Sequence, residues 1–222
     1  MEPPGPDRLP SRGNTLGNET VIQDNDVEPP IPEAHPMVGC RLNHFMLRIR
    51  DPNRTMNFYV HLMGMRTIFK KDTGPFTVYY LGFPQTPAHR KDPAAFANDT
   101  SPHSSLSRTL GLLELCHYHG SERQPESYIS TGTEPPHLGF NHLGFTVPDV
   151  QAAVGHLRQN GVVVVKGIDE GPVEGIPITK WEKDEKGIAT AELSAGFLNI
   201  LRRIAFVRDP VSLILTCREG HI

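Results

Sequence analysis

The sequence predicts an α+β fold built from a duplicated strand–helix–strands unit, and three observations support that prediction. His44 and His142 each follow an asparagine at the head of a strand-like stretch with alternating large apolar residues. An amphipathic helical pattern follows each stretch and ends at a glycine, Gly64 or Gly161. The two glycines are almost as far apart as the two histidines. A repeated unit explains this common register better than chance.

The composition limits the classes of protein that the chain can belong to. With 222 residues, 37% hydrophobic residues and a formal net charge of -3, it suits one compact unit or two small modules. Acidic residues slightly outnumber basic ones and no basic cluster occurs, so nucleic acid is not an expected partner. No stretch approaches the roughly 20 apolar residues of a membrane span, and the first residues lack a signal-peptide core.

Cysteine usage indicates the compartment. Cys40, Cys116 and Cys217 share no short spacing, and any one bridge leaves a thiol unpaired. This pattern fits a reducing environment, and we expect a soluble, cytoplasmic protein.

Two regions differ in their capacity to fold. Residues 1–37 are rich in Pro, Gly, Asn and acidic side chains, without apolar periodicity, which predicts a disordered leader. Residues 38–222 are expected to form a single folded domain.

The strand at 42–50 divides its side chains between two faces, because alternate residues of a strand point the same way. One face is predicted to carry His44, Met46 and Arg48, and the apolar core face Phe45, Leu47 and Ile49. The strand therefore presents a candidate metal ligand and a fixed positive charge on the same side.

A helix and three strands complete the first unit. Asp51 can cap a helix that has Pro52 at its first position and ends at Gly64. Strand candidates follow at 66–70, 76–83 and 110–117. Between the last two lies a polar, proline-containing stretch that we expect to be a mobile surface loop.

The second unit repeats the order. A helix through Val150, Val154 and Leu157 follows the strand at His142, ends at Gly161, and leads into an apolar strand at 162–165. Later strand candidates are less regular and lie at 176–181, 188–193, 198–206 and 213–217.

Two histidines and one glutamate are candidate metal ligands. His44 and His142 hold equivalent places in the two repeats, so a pseudo-twofold arrangement would bring them together. Glu114 lies among leucines, where a bound cation would compensate its charge. The alternative is that Glu114 lies on the solvent face of its strand and that the two histidines are ordinary packed residues among the 11 of the chain.

Several motifs resemble a known family. The run HFMLRIRDP at 44–52, followed by NFY at 57–59 and LMGM at 62–65, resembles the opening of the glyoxalase I (lactoylglutathione lyase) family of the vicinal oxygen chelate superfamily. The segment LELCH at 113–117 is similar to its second ligand strand, and GFNHLGFTVPDV at 139–150 to its third. The resemblance covers about 42–166 and returns briefly at 205–210.

The resemblance implies a fold of two βαβββ modules, at about 42–120 and 138–217, that hold a divalent metal between cupped sheets. It implies His44, Glu114 and His142 as metal ligands, with zinc expected and nickel or iron as alternatives. Arg48 and Lys166 match positions that bind the carboxylates of glutathione. A homodimer completes the site in two-module members.

The implied reaction converts the hemithioacetal of glutathione and methylglyoxal into S-lactoylglutathione, which detoxifies methylglyoxal. In such chemistry a carboxylate base moves the substrate proton and the metal stabilises the negative charge that develops. Glu114 is the candidate for proton transfer in this chain.

Departures from the family pattern bear directly on that activity. Thr216 stands where the family has a glutamate that is both metal ligand and base, and a hydroxyl is a poor base near neutral pH. Tyr118 replaces an asparagine and Leu138 an arginine at glutathione-contact positions, and 180–203 looks like an insertion. Translated intron sequence within 180–222 would explain the late differences, whereas divergence to another substrate would also explain Tyr118 and Leu138.

Two other functions remain open from the sequence. Two histidines and a carboxylate are also the ligands of non-haem iron dioxygenases, although their carboxylate is expected in the last strand, where this chain has Thr216. A non-catalytic or diverged protein that binds a small molecule would keep the fold without needing a base.

Overall fold

The computed structural model of the chain describes residues 13–16, 19–22 and 29–220. The leader predicted at 1–37 therefore lies largely outside the described residues. Its described part contains two short antiparallel strands, β1 (Gly13–Leu16) and β2 (Glu19–Ile22), where a leader without regular structure was expected. From 29 to 42 every side chain is exposed, so this stretch adds nothing to the core.

The first module has the predicted order of one strand, one helix and three strands. Asp51 caps the helix by accepting a hydrogen bond from the Arg54 backbone N–H, and Gly64 ends it with a φ of 81°. The helix begins in α-helical form and continues as a π-helix over Asn57–Leu62. The elements are β3 (His44–Ile49), α1 (Pro52–Met56), β4 (Arg66–Asp72), β5 (Phe76–Gly82) and β6 (Leu112–Tyr118).

The stretch between β5 and β6 is helical, and the prediction of a mobile loop was wrong. It forms α2 (Pro87–Lys91), α3 (Pro93–Thr100) and α4 (His103–Leu106). Two of the prolines that suggested a loop, Pro87 and Pro93, begin helices α2 and α3. The first turn of a helix does not need the backbone N–H that proline lacks. Phe96 of α3 is fully buried against sheet residues, which anchors the segment.

The second module repeats this architecture. Its sheet has the order β10-β11-β12-β9 and the first sheet the order β3-β6-β5-β4, so in both the first strand lies parallel beside the fourth. Two βαβββ modules are thus confirmed. The elements are β9 (Leu143–Val147), α5 (Val150–Gln159), β10 (Val164–Lys166), β11 (Ile204–Arg208) and β12 (Ile214–Glu219).

Shorter elements fill the connections. A hairpin of β7 (Thr133–Glu134) and β8 (His137–Leu138) joins the modules. The strands predicted at 176–181 and 188–193 are absent from this described region, which instead contains a π-helical stretch, Trp181–Glu185, and α6 (Ala195–Arg202). Ser194 caps α6 through the Phe197 backbone N–H, so the apolar residues after it follow a helical rather than a strand period.

The main hydrophobic core lies between the modules. The hydroxyl of Tyr59 from the first module donates to the Asp209 carboxylate of the second at 2.8 Å, and both are buried. None of the described helices is long and apolar enough to cross a membrane. The buried residues of this core are Ile49, Phe58, Tyr59, Met65, Leu81, Leu113 and Leu115 from the first module and Leu143, Leu157, Val207, Leu213 and Leu215 from the second.

The β3 strand has the predicted alternation only in part. Ile49 is buried and Leu47 packs against the core, but Phe45 on the same face is 42% exposed. Because β3 is the edge strand of its sheet, core residues do not pack over its first positions.

Candidate functional site

His44 and Glu114 form a side-chain pair on the first sheet. They come from the parallel neighbours β3 and β6. Glu114 pairs with Met46, and Met46 is two residues after His44 on β3. The His44 Nε2 atom lies 3.3 Å from Glu114 Oε2, and the two side chains are 38% and 20% exposed. The pair therefore remains accessible to a ligand from solvent.

Tyr80 is a third member of this cluster, and sequence reasoning missed it. Tyr80 lies opposite Glu114 on β5, its ring lies 5.4 Å from that of His44, and it stacks on Phe69 at 4.8 Å. Burial, followed by its hydrogen bond to Glu114 and the charge of that carboxylate, raises the pKa of Tyr80. Only the strand register reveals this contact.

The second sheet carries an equivalent set at the same register positions. On one side Thr216 of β12 pairs with Gly144, which is two residues after His142. On the other side Thr216 pairs with Phe206 of β11. His142, Phe206 and Thr216 thus correspond to His44, Tyr80 and Glu114. The rings of His142 and Phe206 lie 6.1 Å apart, and partial burial lowers the pKa of His142.

The three predicted metal ligands do not meet within one chain. Across 29–220, no group of three His, Cys, Asp or Glu side chains is placed to hold a metal ion. His44 and Glu114 are paired, whereas His142 lies in the other half-site.

Arg48 lies over the ring of Tyr118, with its guanidinium carbon 4.4 Å from the ring centroid. Arg48 is exposed, so its outer donors can reach a ligand. Tyr118, which replaces an asparagine of the family pattern, thus contacts the residue predicted to bind a carboxylate. Leu138, which replaces an arginine at another glutathione-contact position, lies in β8 and is partly exposed.

Lys166 is fully buried, unlike the exposed group expected of a substrate-binding residue. Its Nζ donates to the backbone carbonyls of Gly167, Leu201 and Ile204, each at 2.8 Å. Burial lowers its pKa, partly offset by Glu170 and Asp169. All three ammonium donors are thus engaged inside the protein, and none faces solvent.

The segment between β10 and β11 covers one member of the second half-site, Phe206. Leu201 of α6 and Ile176 pack on Phe206 and Ile214 of the sheet in one buried cluster. Thr216 lies in the same sheet and is also buried. In the second half-site Phe206 and Thr216 are therefore buried, whereas His142 is exposed, as His44 is in the first.

The donor set of the first half-site fits a divalent metal ion. An imidazole nitrogen and a carboxylate oxygen are the donors that zinc takes at about 2.0–2.2 Å. Two such donors around one ion lie about 3.0–3.4 Å apart at the bond angles of common coordination geometries, and His44 and Glu114 lie at 3.3 Å. Two ligands form half of a tetrahedral set, so further ligands are required.

One family model and several known proteins are similar to this chain. The model of the Glyoxalase/Bleomycin resistance protein/Dioxygenase superfamily matches residues 41–191. Glyoxalase I of Saccharomyces cerevisiae is 37% identical over 59% of this chain and 38% of its own length. Lactoylglutathione lyase of Pseudomonas aeruginosa is 36% identical over 58% of this chain and 70% of its own length. The solved glyoxalase I of Leishmania major is 21% identical, covers 81% of this chain and 86% of that one, and has a TM-score of 0.47.

Proposed function

The chain belongs to the Glyoxalase/Bleomycin resistance protein/Dioxygenase superfamily, and from that premise we propose that it is a metal-dependent lyase of the lactoylglutathione lyase type. Its substrate is the hemithioacetal of glutathione and methylglyoxal, and its product is S-lactoylglutathione. Relatives named glyoxalase I and lactoylglutathione lyase at 37% and 36% identity support this assignment.

The observation that carries the proposal is the approach of His44 Nε2 to Glu114 Oε2 at 3.3 Å. Asn43 Oδ1 lies 3.0 Å from the other ring nitrogen, Nδ1, which leaves Nε2 to face the carboxylate. A neutral imidazole and a carboxylate in this arrangement offer two lone pairs to one cation. We assign His44 and Glu114 as ligands of a divalent ion, with zinc as the ion to test first.

A divalent ion held by His44 and Glu114 would supply positive charge to offset the negative charge that develops on the substrate oxygens. The side chains supply orientation and proton transfer. Glu114 is the carboxylate that can accept the substrate's C–H proton and return it to the neighbouring carbon, and Tyr80 lies opposite it on β5. Arg48 binds a glutathione carboxylate through its exposed face.

We further propose that the chain forms a homodimer in which His142 of a second copy completes the ligand set. Support comes from the two separate half-sites, whose histidines lie on or immediately before the edge strands of the two sheets. Sedimentation at micromolar concentration should show twice the 24.6 kDa mass of one chain. A His142→Ala variant should lose zinc only if the histidine of one copy reaches the ion of another, so unchanged zinc binding would contradict this part.

Turnover tests the activity. The purified chain, loaded with zinc, should convert the preformed hemithioacetal, and His44→Ala should abolish that conversion. His156→Ala, which removes an exposed histidine from α5, is the matched control and should retain it. A wild-type protein that binds zinc but converts nothing would refute the lyase assignment.

A non-catalytic binding protein is the second candidate, because Thr216 places a hydroxyl where a base is needed. Such a protein would bind zinc and S-substituted glutathione with no turnover. Isothermal titration with S-hexylglutathione, combined with the turnover assay, separates the two functions.

A further inference from the structure

The side-chain amide of Asn43 has one allowed orientation. Its Nδ2 atom lies 2.8 Å from the backbone carbonyl oxygens of both Leu106 and Thr109. Carbonyl oxygens only accept hydrogen bonds, so the amide nitrogen faces these two and the amide oxygen faces the other way. The end of α4 and the residues after it therefore fix the direction of the Asn43 oxygen.

That oxygen determines which nitrogen of His44 carries the hydrogen. Asn43 Oδ1 lies 3.0 Å from His44 Nδ1. An amide oxygen cannot donate, so Nδ1 carries the hydrogen, and in the neutral imidazole Nε2 then has a free lone pair. This lone pair faces Glu114 Oε2 at 3.3 Å, which is also an acceptor. Two acceptors at this separation repel each other unless a proton or a metal ion lies between them.

We propose that Asn43 is a positioning residue that holds His44 in the Nδ1–H tautomer and so presents Nε2 to a metal ion shared with Glu114. The metal part rests on the proposed function, whereas the tautomer part does not. Hydrogen bonds from outside the coordination sphere commonly orient histidine ligands in this way. In this chain the orientation is set by the helical segment between β5 and β6, through the carbonyls of Leu106 and Thr109.

The second repeat lacks the same support. Asn141 Oδ1 lies 3.4 Å from His142 Nδ1. The side-chain Nδ2 of Asn141 donates no hydrogen bond to a carbonyl among the described residues. The tautomer of His142 is therefore not fixed by the fold. The structure assigns the preorganised histidine to the first half-site alone.

The tautomer can be measured directly on the metal-free full chain. Long-range ¹H–¹⁵N spectra, recorded at a pH where His44 is neutral, should show Nδ1 protonated and Nε2 bare. Asn43→Ala should lose this preference, and Asn43→Asp, which keeps an acceptor next to Nδ1, should retain it. Asn141→Ala removes the same amide from the other repeat and should leave the His44 signals unchanged.

Zinc affinity provides the second measurement. Removal of such a supporting hydrogen bond typically weakens metal binding about 10–100-fold. Titration of the full chain with zinc should show that Asn43→Ala lowers the zinc affinity by this factor and that Asn43→Asp lowers it less. A purely structural role would weaken both variants alike, because both lose the bonds to Leu106 and Thr109.

The outcomes separate the two proposals. A wild-type protein that binds no zinc but shows the Nδ1–H tautomer refutes the proposed metal site and leaves the role of Asn43 toward His44 intact. A wild-type His44 with hydrogen on Nε2 overturns the inference, even if Asn43→Ala does not fold. Equal zinc affinity and tautomer in wild type and folded Asn43→Ala would also overturn it.

Discussion

Glu114 and Thr216 occupy the same register position in the two sheets. Each lies on the fourth strand of its module and pairs with the residue two positions after the module's histidine, His44 or His142. The pseudo-symmetric structure therefore has a carboxylate in one half-site and a hydroxyl in the other. If the two half-sites act on one substrate, the second contributes a ligand position without a base.

Thr216→Glu should raise hemithioacetal turnover at least about tenfold, since a positioned general base typically contributes about 10²–10⁴ in rate. Thr216→Gln has the same size without the charge and should not gain activity. Initial rates at saturating zinc check this. If the wild type already matches Thr216→Glu, another residue supplies the base.

Zinc should bind at about one ion per chain and depend on the pair in the first half-site. His44→Ala and Glu114→Gln each remove one donor of the 3.3 Å pair, so both should lose the bound ion after dialysis. Elemental analysis measures the content, with His156→Ala as the control that should stay loaded. Full zinc in Glu114→Gln would show that this carboxylate is not a ligand.

Arg48→Ala should raise the KM for the glutathione adduct and leave kcat nearly unchanged. A carboxylate contact far from the reacting carbon stabilises substrate and transition state equally, which is the pattern of uniform binding. Tyr118→Asn should lower KM, because it frees the face of Arg48 that now lies over the Tyr118 ring. Steady-state kinetics check both variants, and an equal loss of kcat in Arg48→Ala would contradict a binding role.

Lys166→Met should destabilise the fold without raising KM. The buried ammonium donates to three carbonyls, and each carbonyl left unpaired in the interior costs about 1–3 kcal/mol. Denaturant unfolding should therefore show a lower midpoint. Lys183→Met, on the π-helical stretch of the covering segment, removes an exposed lysine and serves as the control. A raised KM with unchanged stability would instead restore Lys166 as a substrate-binding residue.

Asp209 should make stability fall as pH rises through its titration range. Burial raises its pKa above the ordinary 3.8, although hydrogen bonds from the Tyr59 hydroxyl and the Leu213 and Val211 backbone N–H groups oppose the shift. The folded state then binds the proton more tightly than the unfolded state. This contribution is complete below pH 3.8 and is lost as pH rises through the folded-state pKa.

Asp209→Asn removes this titration, so the difference between wild-type and variant unfolding free energies should change across that range and be constant above it. Tyr59→Phe removes a hydrogen bond that favours the charged form, and should extend the range to higher pH. Urea unfolding at a series of pH values measures both. A pH-independent difference between wild type and Asp209→Asn would contradict the raised pKa.

Local patterns in the sequence were enough to predict the strand–helix–strands order of the two modules. The alternation around His44 and His142, the Asp51 cap and the helix-ending glycines are patterns of a few residues, so they can be recognised in the sequence without tertiary contacts. The helices between β5 and β6 were missed because a proline marks a loop and a first helical turn equally well. The buried Phe96 decided between the two.

Strand pairing and burial set which of the candidate residues meet. The parallel pairing of β3 with β6 brings His44 to Glu114 and, through β5, to Tyr80, whereas His142 immediately precedes β9 of the separate second sheet. Likewise, the charge of Lys166 is visible in the sequence, but its burial under the segment that carries Leu201 is not. Periodicity and capping are local properties of the chain, while register, burial and the hydrogen-bond partners of a side chain depend on residues tens of positions away, and only the folded structure brings these together.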